Sequence, residues 1–178
     1  MDIGLLVLRL VIGLTMVGHG TQKLFGWFGG QGLSGTGGLF HGLGYRPGKA
    51  FALAGGVAEG AGGLLLAFGL LTPLAGAALI GNMLNAALSV HLRNGFWAQN
   101  QGFEYPVALM GVGAAVAFTG AGSYSLNHVL GWTLQGGGWG LFGVTLGVLS
   151  GVIVDLYRHR TLTGGRRSPA GGGLQSTA

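Results

Sequence analysis

The residues with the most chemistry in this sequence are ionisable side chains set inside apolar runs. Glu59 stands in AFALAGGVAEGAGGLLLAFGLL, ringed by Gly55, Gly56, Gly62 and Gly63. Arg9 interrupts LLVLRLVIGL, and His19 and Lys23 close the same run. At 100° per residue Arg9, Met16, His19, Gly20 and Lys23 share one helical face. Farther on, Asn82, Asn85 and Ser89 fall on one stripe, with His91 and Arg93 at its end, and Glu104-Tyr105 opens the next apolar run. A buried carboxylate whose pKa is raised serves as a proton acceptor, and neighbouring imidazole, phenol and amide groups orient a polar substrate. The chemistry on offer is proton transfer beside a small polar group, inside a membrane.

An ionisable group in a bilayer is expensive and needs a partner or a water-filled cavity. If successive helices alternate in direction, the His19 end of the first meets the His91 end of the third and Glu104 of the fourth. Glu59 then lies about nine residues (~13 Å) in from that surface, and Arg9 about six residues in from the other. This placement predicts a buried Arg9–Glu59 pair with a polar chamber below it. Structural alternatives stand beside each reading. Such a pair can simply hold helices in register, and His19 can be an interfacial histidine bonded to a carbonyl. His91 and Arg93 can mark a helix end where cations suit the dipole, and Asn82, Asn85 and Ser89 can be interhelical glue. His41, His128 and His159 have no carboxylate or histidine at metal-ligand spacing, so no metal site is predicted. Trp27, Phe28, Phe96, Trp97 and Trp139 fit an interfacial aromatic belt.

The elements that must position these groups are membrane-spanning helices. Only 7% of the 178 residues are charged and 49% are apolar, whereas a soluble chain carries roughly a quarter charged. Mean hydropathy is +0.57. No charged residue occurs from Gly60 to Leu92 or from Tyr105 to Val154. With ~20 residues needed per span, five spans are predicted: Ile3 to Phe25, Ala50 to Leu71, Pro73 to Leu92, Tyr105 to Thr119 and Trp139 to Tyr157. The first is read as a span, not a cleaved signal peptide, because it lacks a basic n-region and contains Arg9. Thr72-Pro73 reads as an N-cap followed by proline at the first helical position. Glycine-rich loops are expected over Gly26 to Lys49, Asn94 to Glu104 and Gly120 to Gly138. Residues 158–178 read as a basic, disordered tail.

Cysteine is absent, which removes disulfides, thiol relays, iron–sulfur clusters and the usual zinc sites. The net charge of +5 is spread singly along apolar runs or concentrated in the tail, a pattern suited to lipid headgroups and not to nucleic acid. Lys23, Arg46, Lys49, Arg93 and the tail arginines share one side, so the N-terminus is expected outside and the C-terminus in the cytoplasm. Glycine stripes at i+4 spacing (Gly143, Gly147 and Gly151; Gly56 and Gly60; Gly55, Glu59 and Gly63) mark close helix packing. The last helix is free on this evidence to dock on its own bundle or on a partner.

The segments HGTQKLFGWFGGQGLSGT, AEGAGGLLLAFGLLT, HLRNGFW, GFEYP and TGAGSYSLN, in this order between Leu5 and Asn127, resemble the DoxX family. The resemblance implies an all-α, polytopic membrane bundle with a four-helix core over 1–127; the loop and additional transmembrane helix over 128–157 and the basic tail extend beyond that common core. It implies a multi-pass protein of the bacterial cytoplasmic membrane. By matching position it points to Arg9, His19, Gln22, Lys23, Glu59, His91, Asn94, Glu104 and Tyr105 as the polar signature. The family's usual aspartate after Tyr-Ser-Leu is Asn127 here, which puts a proton-accepting role at that position in doubt.

Some relatives are described as subunits of quinone-linked or sulfur-oxidising redox systems, and others as linked to oxidative stress. The first expectation is therefore an accessory redox subunit with a quinone as its cofactor and a protein partner carrying the electrons. In it Glu59, Glu104 and His91 are catalytic candidates, and Arg9, His19, Gln22, Lys23, Asn94 and Tyr105 are candidates for cofactor binding. The second is a non-enzymatic scaffold or small-molecule carrier, assembling with a partner or itself through glycine-rich faces. Proton-coupled transport is a third reading, opposed by the lack of an inverted repeat.

Overall fold

The structure, a computed structural model, describes residues 2–164. It is a helical membrane bundle. The helices run α1 (Asp2–Phe25), α2 (Gly32–Gly42), α3 (Gly48–Phe68), α4 (Thr72–Ala86), α5 (Glu104–Thr119), α6 (Leu126–Val129) and α7 (Gly137–Gly164). A π-helical turn, Ala87–His91, continues α4 without a break.

Among the described residues four segments are long and apolar enough to cross a bilayer: α1, α3, α4 with its extension, and α7. The fourth expected span is present as α5 but is shorter. Its 16 residues rise ~24 Å, less than the ~30 Å apolar thickness of a typical bilayer. Glu104 opens it with Pro106 in the first turn, and Gly120, at φ +76°, ends it.

Glycine sets the packing, because helices in lipid associate where backbones can touch. On α1, a Cβ at Gly13 would lie 2.6 Å from the Gly63 carbonyl oxygen, and one at Gly20 would lie 2.7 Å from that of Gly56. These contacts lock α1 antiparallel to α3. The α7 stripe is occupied from within the chain: Gly143 faces the Pro73 carbonyl, Gly147 that of Ala77 and Gly151 that of Gly81. A Gly147→Leu substitution, pressed against Ile80, is expected to cost about 1–3 kcal/mol, read as a lower thermal midpoint in mild detergent.

Two expectations about boundaries change. Leu71, at φ +49°, precedes α4, so Thr72 is already helical and its side chain makes no N-cap bond. The Leu71 N–H instead donates to Asn127 Oδ1 at 3.0 Å, so Asn127 holds the α3–α4 turn. The second concerns the end of α7, where residues 158–164 are helical rather than tail. Arg158 is buried there and pairs with Asp155 at 2.8 Å, which neutralises both charges one turn apart. Tyr157 donates to the Arg46 carbonyl at 2.9 Å, and Thr161 to that of Gly44. Residues 165–178, with Arg166 and Arg167, lie outside the described residues.

Helix α2 was not expected, since five of its eleven residues are glycine and glycine is a poor helix former. Tertiary contact compensates: Gly37 lies against the Lys49 stem, and Gly48 against the backbone of Gly37.

Candidate functional site

The antiparallel register of α1 and α3 decides which cation meets Glu59. Gly20 sits opposite Gly56 and Gly60, so Lys23, one turn on, reaches Glu59 and forms an ion pair with it. The absence of a Cβ at Gly56 gives the Leu24 side chain room against α3, with the Lys23 Cβ beside it. Glu59 is 8% exposed and Lys23 24%. The expected Arg9–Glu59 pair is therefore not formed. Arg9 precedes Gly13 by one turn and lies beside Gly69, ten residues along α3 from Glu59, which is ~15 Å of helical rise. Fully buried, it donates through Nε to the Leu5 carbonyl at 3.3 Å and through Nη2 to that of Tyr124. It clamps the 120–127 loop onto the bundle.

Beside the Lys23–Glu59 pair is a cavity of about 410 Å³ between α2, α3, α4 and α7. Asn82, Asn85 and Ser89 line one wall, as their common stripe predicts, and Tyr45, Phe40 and Phe51 line another. The Tyr45 hydroxyl donates to Asn85 Oδ1 at 3.2 Å, while Asn85 Nδ2 donates to the Gly81 carbonyl at 2.9 Å and that of Gly151 at 3.2 Å. Burial pushes the Tyr45 hydroxyl above the ordinary tyrosine range, against the opposing pull of Ser89 and Arg158. Tyr45 is thus a protonated donor at neutral pH. Ser89 lies in the π-helical turn, a distortion often found at functional sites, and bonds back to the Asn85 carbonyl at 2.6 Å. Leu39 and Val90, 54% and 46% exposed, are the large exposed residues of the lining. The mouth is therefore apolar and suits entry from lipid.

The remaining candidates sit elsewhere. His19 bonds Gln22 within α1 at 3.2 Å, and Gln22 donates to the Phe28 carbonyl at 3.3 Å, fixing the turn after α1. His91 Nδ1 donates to the Gln101 carbonyl at 2.7 Å, Asn94 donates to the same oxygen at 3.2 Å, and Glu104 accepts the Ala98 N–H at 2.8 Å. These three knit the 91–104 loop. Tyr105 is half exposed. Of the nine sequence candidates, only Lys23 and Glu59 line the cavity. His91→Ala is expected to speed amide hydrogen exchange across 92–103 several-fold, since it frees a backbone carbonyl from a loop-closing bond, with no change in the cavity.

Tyr45 was missed by sequence reasoning. It lies between Gly44 and Arg46 in a segment taken for loop, and its contacts at 5.4 Å with the rings of Phe40 and Phe51 are tertiary.

The DoxX family model matches residues 4–92. This stretch carries Lys23, Tyr45, Glu59, Asn82, Asn85 and Ser89, so every polar side chain of the cavity named above lies within it. A curated relative, named "Putative oxidoreductase CatD", from Bacillus subtilis (strain 168), is 30% identical over 126 residues, covering 71% of this chain and 86% of that protein. No solved structure matches. The chain belongs to the DoxX family.

Proposed function

We propose that this protein is an accessory subunit of a quinone-linked redox system, with the quinone headgroup held in the lateral cavity. The observation that carries the reading is one cavity joining an intramembrane ion pair to an apolar mouth. At about 410 Å³ it falls within the ~300–1,000 Å³ range of small-molecule sites. Its residues fit the group: the Asn82 amide offers a hydrogen bond to a ring carbonyl, the Tyr45–Asn85 bond fixes the wall beside it, and Phe40, Phe51 and Leu39 offer apolar walls to the ring and chain. A bound quinone supplies two-electron, two-proton chemistry, and a partner redox protein supplies the electrons. Within this chain Glu59 holds and passes the proton, and Lys23, its ion-pair partner, fixes the position of the carboxylate. The relative's printed name, an oxidoreductase, agrees with this reading. The scaffold reading loses its strongest surface, because α7's glycine stripe is covered by α4.

Binding of decylubiquinone to the purified protein, followed by thermal stabilisation in mild detergent, tests the proposal. Gly55 lines the cavity and a Cβ there would lie 3.6 Å from the Phe40 ring, so Gly55→Leu is expected to abolish the stabilisation. Asn82→Leu, losing one hydrogen bond to the ring carbonyl, is expected to weaken binding roughly threefold to tenfold. Equal stabilisation of all three proteins would overturn the site.

A further inference from the structure

All four carboxylate side chains of this protein are in use. Asp2 accepts from Ser123, Glu59 pairs with Lys23, Glu104 accepts the Ala98 N–H, and Asp155 holds Arg158 and His159. Among the described residues Arg46 and Lys49 pair with no acidic side chain. They border one open cavity of about 700 Å³, together with His41 and Ser34 of α2.

The cavity is built by close contact. Gly37 and Gly48 let α2 press onto the start of α3, a Cβ at Gly37 lying 2.7 Å from Lys49 Cγ. Tyr157 of α7 fixes the Arg46 carbonyl. Helix α3 begins here without a side-chain cap, so the positive end of its dipole adds to the two cations. The level matters as well. Gly48 is the first residue of a membrane-spanning helix, which places Arg46 and Lys49 where lipid phosphates lie. Leu53, one turn deeper than Lys49, is 48% exposed and offers apolar surface to an acyl chain.

We infer that this pocket binds the phosphate of an anionic phospholipid, with Arg46 and Lys49 as the charge partners and Ser34 and His41 as hydrogen-bonding groups on the α2 wall. The site is separate from the lateral cavity and stands whatever occupies that cavity. Its consequence is mechanical: α2 presents Gly37 and His41 to this pocket and Leu39 and Phe40 to the other. A bound lipid therefore braces the helix that walls the lateral cavity.

Native mass spectrometry of the full-length protein in mild detergent, with phosphatidylglycerol, chain-matched phosphatidylcholine or inorganic phosphate added, tests this. The wild type is expected to retain phosphatidylglycerol over phosphatidylcholine. In R46Q/K49Q the preference is expected to fall roughly tenfold or more, at about 1 kcal/mol per surface cation. Because both side chains are exposed, the unfolding midpoint without lipid should stay put, which separates lost binding from lost folding. Arg93→Gln, at an exposed cation outside the pocket, should leave the preference intact. Equal retention of the two lipids, or an undiminished preference in the double variant, overturns the inference. Retention of inorganic phosphate without lipid preference also overturns it, since the source would then be free phosphate.

Discussion

Glu59→Leu is expected to destabilise the folded protein by about 3–5 kcal/mol, the usual cost of breaking a buried ion pair by removing one partner. Lys23 would be left charged beside a leucine in a part of α1 that packs on α3 and borders the lateral cavity. Its 24% exposure lets some water reach it, so the lower end of that range is the expected figure. Adding Lys23→Met should recover most of the loss, because two apolar residues in place of a buried pair are often neutral. Unfolding midpoints of the wild type, both single variants and the double variant in one detergent give the coupling directly. Glu59→Gln separates folding from function: it keeps the side chain's size, and quinone-dependent activity in the assembled system is expected to disappear while the chain remains inserted.

The second large effect lies at the other end of the bundle. Gly69 ends α3 in the left-handed region, at φ +63°, and a Cβ there would fall within the Arg9 guanidinium. Gly69→Ala is therefore expected to cost about 1 kcal/mol for backbone strain alone. Displacement of Arg9 from the Tyr124 carbonyl adds to this and brings the total to roughly 3 kcal/mol. Arg9→Ala should be similarly harmful by itself, since it empties a fully buried site. The double variant should lose less than the sum of the two, because with Arg9 absent the new methyl has space. Additivity within about 0.5 kcal/mol would show that Arg9 and Gly69 do not compete for one place.

The membrane class and the long helices were legible because charge is scarce and its gaps are long. The polar stripe Asn82, Asn85 and Ser89 was legible from helical spacing, and the structure turns it toward one cavity. The partner of Glu59 was not, since Arg9 and Lys23 lie on the same face of α1. Choosing between them needs the register against α3, which Gly13 and Gly20 set through backbone contact. Helix α2 and Tyr45 were hidden for a related reason: a glycine-rich segment folds here on its neighbours, not on its own propensity. His91, Asn94 and Glu104 were correctly placed at one end of the bundle, but their bonds close a loop.

The central claim is that the lateral cavity holds a quinone. Mass spectrometry of the lipophilic molecules released from protein purified in mild detergent tests it most directly, with Gly55→Leu purified alongside. A quinone at near one per chain in the wild type, lost in the variant while its fold is retained, is the predicted result. Bulk lipid alone, from folded wild-type protein, would contradict it.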